Sequence, residues 1–299
     1  MKTITDVTDS IPRRRPVVDA GGRTDDSNTS WGRSLIDSIG ETSPRRLARM
    51  AGLLYLINII GGAFAIGIVP AMLVVSGDAA ATVHNIQTHE LLYRFSLVAH
   101  LVVTVTNVPL AVIFYELFKV VNRRLALLDA CFILVATAIE AAGLLNQFLP
   151  LVLLGSGPTA SALPTPQLEA FAYLPSALSG IGYSIAQVFF TFDLLTIGYL
   201  VLRSTFLPRV IGVLLAIAGL AYLIYSFANL LAPGFAGNLV PWIQLPSLLG
   251  EGSFCLWLLI VGLNAQRWNE RANAATRASS TQKRGTGVKL SSPATQQAR

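Results

Sequence analysis

The chain of 299 residues is 53% hydrophobic and only 13% charged, with a net charge of +6; soluble globular proteins carry about a quarter charged residues. With a mean hydropathy of +0.58, this excludes an ordinary soluble domain and points to an integral membrane protein. The excess of positive charge would suit nucleic acid, but the basic residues lie in tails and short loops, which is a topology pattern and not a binding stripe.

Residues 1–46 are polar and mixed in charge, include Arg13-Arg14-Arg15, and read as a disordered cytoplasmic tail. They hold no apolar stretch of the secretory-signal type, so the first span is expected to target the chain. That span is expected at 51–75, directly after Arg45, Arg46 and Arg49, and contains Asn58, Gly61-Gly62 and Pro70. The polar stretch 76–94 follows on the outer side with Asp78, His84, His89, Glu90 and Arg94. His84 and His89 are five residues apart, on different helix faces, and read as solvated groups, not as metal ligands.

A second span at 95–118 ends at Lys119, Arg123 and Arg124, and a third at 125–154 follows after a tight inner turn. Residues 156–176 read as a Pro- and Ala-rich outer loop with Glu169 as its one charge. The fourth and fifth spans, 178–202 and 210–231, form a hairpin around Arg203 and Arg209. The fourth carries a single charge, Asp193. A helix of that length covers roughly 37 Å at about 1.5 Å per residue, enough to cross about 30 Å of hydrocarbon. Asp193 costs about 2.5 to 3.5 kcal/mol to insert, while each Leu, Ile, Val or Phe around it returns about 0.3 to 0.6 kcal/mol, so insertion wins.

Pro233-Gly234 opens an uncharged outer loop, and the sixth span is expected at 242–264, with Trp242 and Trp268 at interfacial positions. Residues 265–299 are basic and polar and read as a second disordered cytoplasmic tail, a weak candidate for anionic lipid. The fold class is therefore all-α, a polytopic transmembrane bundle of six spans with both termini cytoplasmic. Its membrane domain is 47–264 and its solvent is the lipid bilayer of the cell membrane. On this topology 21 of the 22 Lys and Arg lie on the inner side, and Arg94 alone lies outside. Neither nucleic acid nor a cofactor is expected as a partner.

Several spans carry a polar stripe at helical spacing. These are Ser96, His100, Thr104 and Asn107 on the second, and Asp129, Thr137, Glu140 and Gln147 on the third. The sixth contributes Gln244, Ser247, Glu251 and Cys255, and the fourth has Asp193 with Gly182, Ala186 and Thr196. At about 1.5 Å per residue, Glu140 stands roughly 24 Å above Arg124 and Glu251 roughly 24 Å above Arg267. His100 stands roughly 28 Å above Lys119, and Asp193 about 15 Å above Arg203. The expectation is that His100, Glu140 and Glu251 converge in the outer half, with Asn107 and Asp193 below them, as a substrate or proton pathway. The competing reading is interhelical hydrogen-bond glue. Glu116 and Asp129 are expected to pair with Lys119, Arg123 and Arg124 at the inner interface.

Other chemistry finds less support. Cys131 and Cys255 sit in apolar runs and read as small hydrophobes. A bis-histidine haem needs a second intraspan histidine beside His100. Ser184 or Ser253 as a nucleophile with His100 as base lacks a supporting acid spacing. There is no P-loop and no dinucleotide fingerprint.

The chain resembles the prokaryotic membrane proteins grouped as "domain of unknown function 4386". The matching stretches are Ala48-Arg49-Met50-Ala51-Gly52-Leu53-Leu54-Tyr55, the Gly77-Asp78-Ala79-Ala80-Ala81-Thr82 segment, and Val121-Asn122-Arg123-Arg124-Leu125-Ala126-Leu127-Leu128. Further matches are Tyr199-Leu200 with Leu207-Pro208-Arg209-Val210-Ile211-Gly212-Val213-Leu214, and Gly250-Glu251 with Leu256-Trp257-Leu258-Leu259. The resemblance covers about residues 47–264 and implies a multi-span helical membrane protein. It brings no activity, so no functional residue carries over from it. The functional expectation is a small transporter or permease with a carboxylate-lined cavity, its rival a non-catalytic structural, signalling or stress-response partner in the membrane.

Overall fold

The computed structural model describes residues 43–155 and 164–289, those beyond 277 by backbone alone. Every regular element among the described residues is helical. In chain order these are α1 Pro44–Leu73, α2 Ala79–Thr88, α3 Glu90–Gln147, α4 Leu149–Leu154 and α5 Thr165–Arg203. They are followed by α6 Arg209–Leu231, α7 Pro233–Leu239, α8 Trp242–Val261 and α9 Ala265–Lys289. Helices α1, α3 with α4, α5, α6 and α8 are long and apolar enough to cross a membrane.

One of these five counts twice. α3 has 58 residues, which as a straight rod would reach roughly 87 Å at about 1.5 Å per residue. Instead, the Tyr93 hydroxyl near its start donates to the Gln147 carbonyl at its end, at 2.7 Å. The helix is a hairpin. It breaks at Asn122, whose backbone is extended (φ −155, ψ 107). The Asn122 Oδ1 accepts from the amides of Arg124 (3.1 Å) and Leu125 (3.2 Å), so one asparagine ends the first arm and N-caps the second. The all-α bundle therefore makes six crossings, with the bound between the second and third at this turn.

The surface of the bundle is apolar and its interior carries the polar groups. Leu53, Ile60, Val98, Leu101, Val105 and Ile224 are exposed, whereas Ser96, His100, Thr104, Asn107, Thr137 and Glu140 are buried. That arrangement lowers free energy only where hydrocarbon is the solvent, because an unpaired polar group there costs several kcal/mol. The chain is a multi-pass membrane protein.

Between such helices there is no hydrophobic driving force, so packing depends on close backbone approach at small residues. A Cβ placed on Gly198 of α5 would lie 2.9 Å from the Gly212 carbonyl oxygen of α6, and one on Gly212 would lie 2.7 Å from that of Gly198. Gly250 of α8 comes as close to the Leu214 carbonyl, and Gly52 of α1 to the Leu259 amide, at 2.7 and 2.6 Å. α8 stops at Gly262, whose φ of +73 suits glycine and whose amide bonds back to the Trp257 carbonyl at 2.8 Å.

The structure departs from the sequence expectation in three regions, the shortest being the outer loop after α6, where Pro233–Leu239 form α7. The second half of the Pro- and Ala-rich outer loop is helical, because α5 begins at Thr165 and passes through Pro175. There Ala172 and Leu168 pack on Val83 of α2 and on Leu153 and Leu154 of α4, so a small apolar cap orders a segment that composition marks as a loop. At the other end, the 265–299 tail is not disordered over Ala265–Lys289, which form α9. Its start is fixed by tertiary contacts. Asn264 Oδ1 caps the Arg267 amide (3.1 Å), Trp268 Nε1 donates to the Leu117 carbonyl (2.9 Å), and Arg267 and Arg271 donate to the carbonyls of Thr205 (3.1 Å) and Arg203 (2.9 Å). The expected N-terminal tail lies outside the described residues up to 42, and 43–46 enter α1.

Trp268→Phe removes one of these anchors and is expected to cost about 0.5 to 1.5 kcal/mol of local stability. Faster tryptic release of the C-terminal segment from protein in nanodiscs, with the spans left intact, would register it.

Candidate functional site

Each polar stripe turns inward. His100 and Asn107 sit on the first arm of α3, Glu140 on the second and Asp193 on α5, all with at most 8% of their surface exposed. Glu251, on α8, is half-buried. Of its stripe, Ser247 and Cys255 are buried while Gln244 is exposed at the end of the helix.

Glu251 is the best-connected of the five. Its carboxylate accepts from the Tyr55 hydroxyl of α1 at 2.8 Å and from the Tyr222 hydroxyl of α6 at 2.5 Å. Each oxygen takes one donor, so three spans are joined at one group. The Tyr55 ring is held edge-on by Phe114 and Phe254, both at 6.1 Å between centroids, which aims its hydroxyl at the acid. Cys255, one turn on, donates to the Gly52 carbonyl at 3.3 Å and keeps α8 against α1.

Around this group the ionisable side chains follow one another by electrostatic interaction, as a file of acids and tyrosines. Tyr183 of α5 lies in the field of both Glu140 and Glu251. Asp193 in turn lies in the field of Glu251, and Tyr55 in that of Asp193. Next to Asp193 stands Asp129, their carboxyls within hydrogen-bonding reach of each other. The order is Glu140, Tyr183, Glu251 with its two tyrosines, Asp193, Asp129, running from the non-basic end toward the basic one.

Asp129 overturns an expectation. It was read as an interfacial acid paired with the basic turn, as Glu116 is with Lys119. It is 1% exposed, and neither carboxylate oxygen has a donor. The reason is rotational: position 129 falls on the inner face of the arm with Ala126, Ile133 and Ala136, all buried, while Arg123 turns back to the Tyr115 hydroxyl at 3.3 Å.

The remaining predicted residues join other groups. Asn107 accepts from Asn58 Nδ2 at 2.6 Å, and Asn58 Oδ1 accepts from the Thr106 hydroxyl at 2.5 Å, so this trio ties α1 to α3. His100 is buried toward Gln147, with neither ring nitrogen completing a hydrogen bond. No hydrogen bond among the described residues joins His100 to Glu140 or Glu251. The two serines weighed as nucleophiles are also engaged elsewhere: the Ser184 hydroxyl accepts from Asn229 at 2.8 Å and that of Ser253 donates to the Gly250 carbonyl at 3.0 Å.

Sequence reasoning passed over Tyr55, Tyr183 and Tyr222. The available signal was position. Tyr222 falls in the middle of its span, where an aromatic does not anchor at the interface and a buried hydroxyl needs a partner, whereas Tyr55 and Tyr183 stand within about six residues of their expected span starts and pass for interfacial aromatics.

Comparison with known proteins gives the lineage and no activity. An uncharacterized protein of Archaeoglobus fulgidus (strain ATCC 49558) is 26% identical over 168 residues, covering 56% of this chain and 84% of that protein. No solved structure matches the chain. The family described as "Domain of unknown function (DUF4386)" matches residues 50–262, all six crossings and the whole file of acids, and the chain belongs to that family.

Proposed function

We propose that this protein is a proton-linked carrier of a small solute in the cell membrane, with its basic end and both termini toward the cytoplasm. The observation that supports this most is the file from Glu140 to Asp129, because no lysine or arginine side chain interacts with any of its acids among the described residues. Ionisable groups left in a membrane interior without a counter-ion are expensive, and they are usually retained where a proton or ion must pass. Tyrosines alternate with the acids and supply hydroxyls that both donate and accept. The orientation rests on the asymmetry of Lys and Arg. The basic α9 at the same end suits anionic headgroups, worth about 1 kcal/mol per basic residue near the surface.

The test is charge movement on a solid-supported membrane carrying reconstituted protein, with panels of small amines, amino acids, sugars and organic acids under an inward proton gradient. A solute-dependent current in the wild type that is lost in Glu251→Gln supports the carrier. Currents equal to protein-free liposomes across all panels count against it.

A second reading has its own support in the saturated hydrogen bonding of Glu251. If the polar groups only hold helices together, Glu251→Gln will lower thermal stability and change no flux.

A further inference from the structure

The file ends in two carboxyls that lie within hydrogen-bonding reach of each other. Asp129 comes from the second arm of α3 and Asp193 from α5, and these two helices pack on each other. Asp129 is 1% exposed with both oxygens unpartnered, and Asp193 is 8% exposed with one oxygen unpartnered. The other ionisable groups that act on the pair are Glu251 from α8 and Tyr55 from α1, neither of them a cation. From α6 the file contributes Tyr222, which is spent on Glu251.

Two carboxyls in contact cannot both hold a charge cheaply in a medium where their repulsion is unscreened. If one carries a proton, it becomes a donor to the other, and a single O–H···O bond gives each carboxyl a partner. A metal ion fits less well. A hard cation takes about six or more oxygen ligands, and no set of three His, Cys, Asp or Glu is gathered here among the described residues.

We infer that Asp129 and Asp193 together form a proton-binding site at the basic end of the bundle, one proton shared by two carboxyls. The site gives the file a terminus from which a proton reaches the basic face, and in that role it rests on the carrier reading. As a binding site it stands without it.

The experiment uses the full chain in lipid nanodiscs and a membrane-soluble carbodiimide. The O–H of a protonated carboxyl adds across a C=N bond of the reagent with nothing lost, and mass spectrometry locates the adduct. At neutral pH the expected result at this pair is one adduct, on Asp129 or Asp193 and not on both, declining as pH rises because only the protonated acid reacts. Asp129→Asn is expected to abolish labelling of Asp193, and Asp193→Asn that of Asp129, since the amide donates a hydrogen bond and lets the surviving carboxylate ionise. Labelling of either acid that is unchanged when its partner is replaced overturns the shared site. Protection by sodium chloride, with none by choline chloride, overturns the proton as its occupant.

Infrared spectra supply the second readout. A protonated-carboxyl C=O band in the wild type should lose intensity in the Asp129→Asn/Asp193→Asn protein, and a band that persists undiminished, with no adduct on either acid, ends the proposal. Labelling as expected without any solute-driven current keeps the site and removes the carrier. A current that survives replacement of both acids keeps the carrier and removes the site from its path.

Discussion

Gly212→Val should deplete the folded protein more than any other single change considered. Its Cβ would meet the Gly198 carbonyl oxygen at 2.7 Å and the Leu202 amide nitrogen at 3.0 Å, and neither backbone atom can turn aside as a side chain can. Overpacking costs about 1 to 3 kcal/mol in a well-packed core, and the upper end applies because α5 and α6 must move apart along their whole contact. The isopropyl group adds further bulk where even one carbon does not fit. The measurement is the fraction eluting as a single species from size exclusion after a heating series in detergent. Gly143→Ala provides the contrast, since nothing approaches within 4 Å of its new methyl. There the gain in helix propensity, about 0.5 to 1 kcal/mol, should leave stability equal or higher. Equal behaviour of the two variants would show that the α5–α6 approach is not what limits the fold.

The second large effect is expected at Glu251. Glu251→Leu leaves the hydroxyls of Tyr55 and Tyr222 without their acceptor. In soluble proteins an orphaned buried group costs about 1 to 3 kcal/mol. In membranes the average hydrogen bond is worth only about 0.6 kcal/mol, with a maximum near 1.7, because the unfolded chain also finds partners. Two bonds to one carboxylate, drawn from two other spans, place the expected loss at about 2 to 3 kcal/mol. Glu251→Gln keeps one acceptor and should lose about half of that. Tyr55→Phe and Tyr222→Phe should each be milder than Glu251→Leu, and in the Glu251→Leu background each should cost almost nothing, since the donor no longer has anything to bond. Additive losses across that cycle would mean that the tyrosines are held by other contacts.

The two large effects differ in what they test. The glycine contact concerns whether the bundle forms, and the Glu251 node concerns what the formed bundle keeps inside. A protein could retain the first and lose the second, and that separation is what the proteoliposome currents of Glu251→Gln exploit.

The apolar runs, the single charge of the fourth and the basic turns were enough for six helical crossings, because lipid admits only helices or closed barrels and apolar runs of about 20 or more residues fit the helix. Helical periodicity was enough to turn His100, Asn107, Glu140 and Asp193 inward. Periodicity also grouped Asp129 with Glu140, yet proximity in sequence to Lys119, Arg123 and Arg124 drew it toward an ion pair. Rotation about the helix axis decided against that, with Asn122 resetting the phase of the second arm.

Convergence was the part that one-dimensional information did not contain. Depth estimates put His100, Glu140 and Glu251 at similar heights, but height says nothing of azimuth. His100 faces Gln147, and Glu251 faces Tyr55 and Tyr222, which lie 196 and 29 residues away in the chain. The same holds for α9: its polar composition reads as disorder, and only the carbonyls of Leu117, Arg203 and Thr205 at the ends of distant helices give it somewhere to dock.

The amino-acid order by itself thus determined the solvent, the number of crossings and which face of each helix hides from lipid, since all three follow from local hydropathy and a period of about 3.6. Tertiary structure alone decided which hidden groups touch. Contact depends on the tilt and rotation of whole helices, and these are set by where glycines such as Gly52, Gly198, Gly212 and Gly250 let backbones close to van der Waals distance.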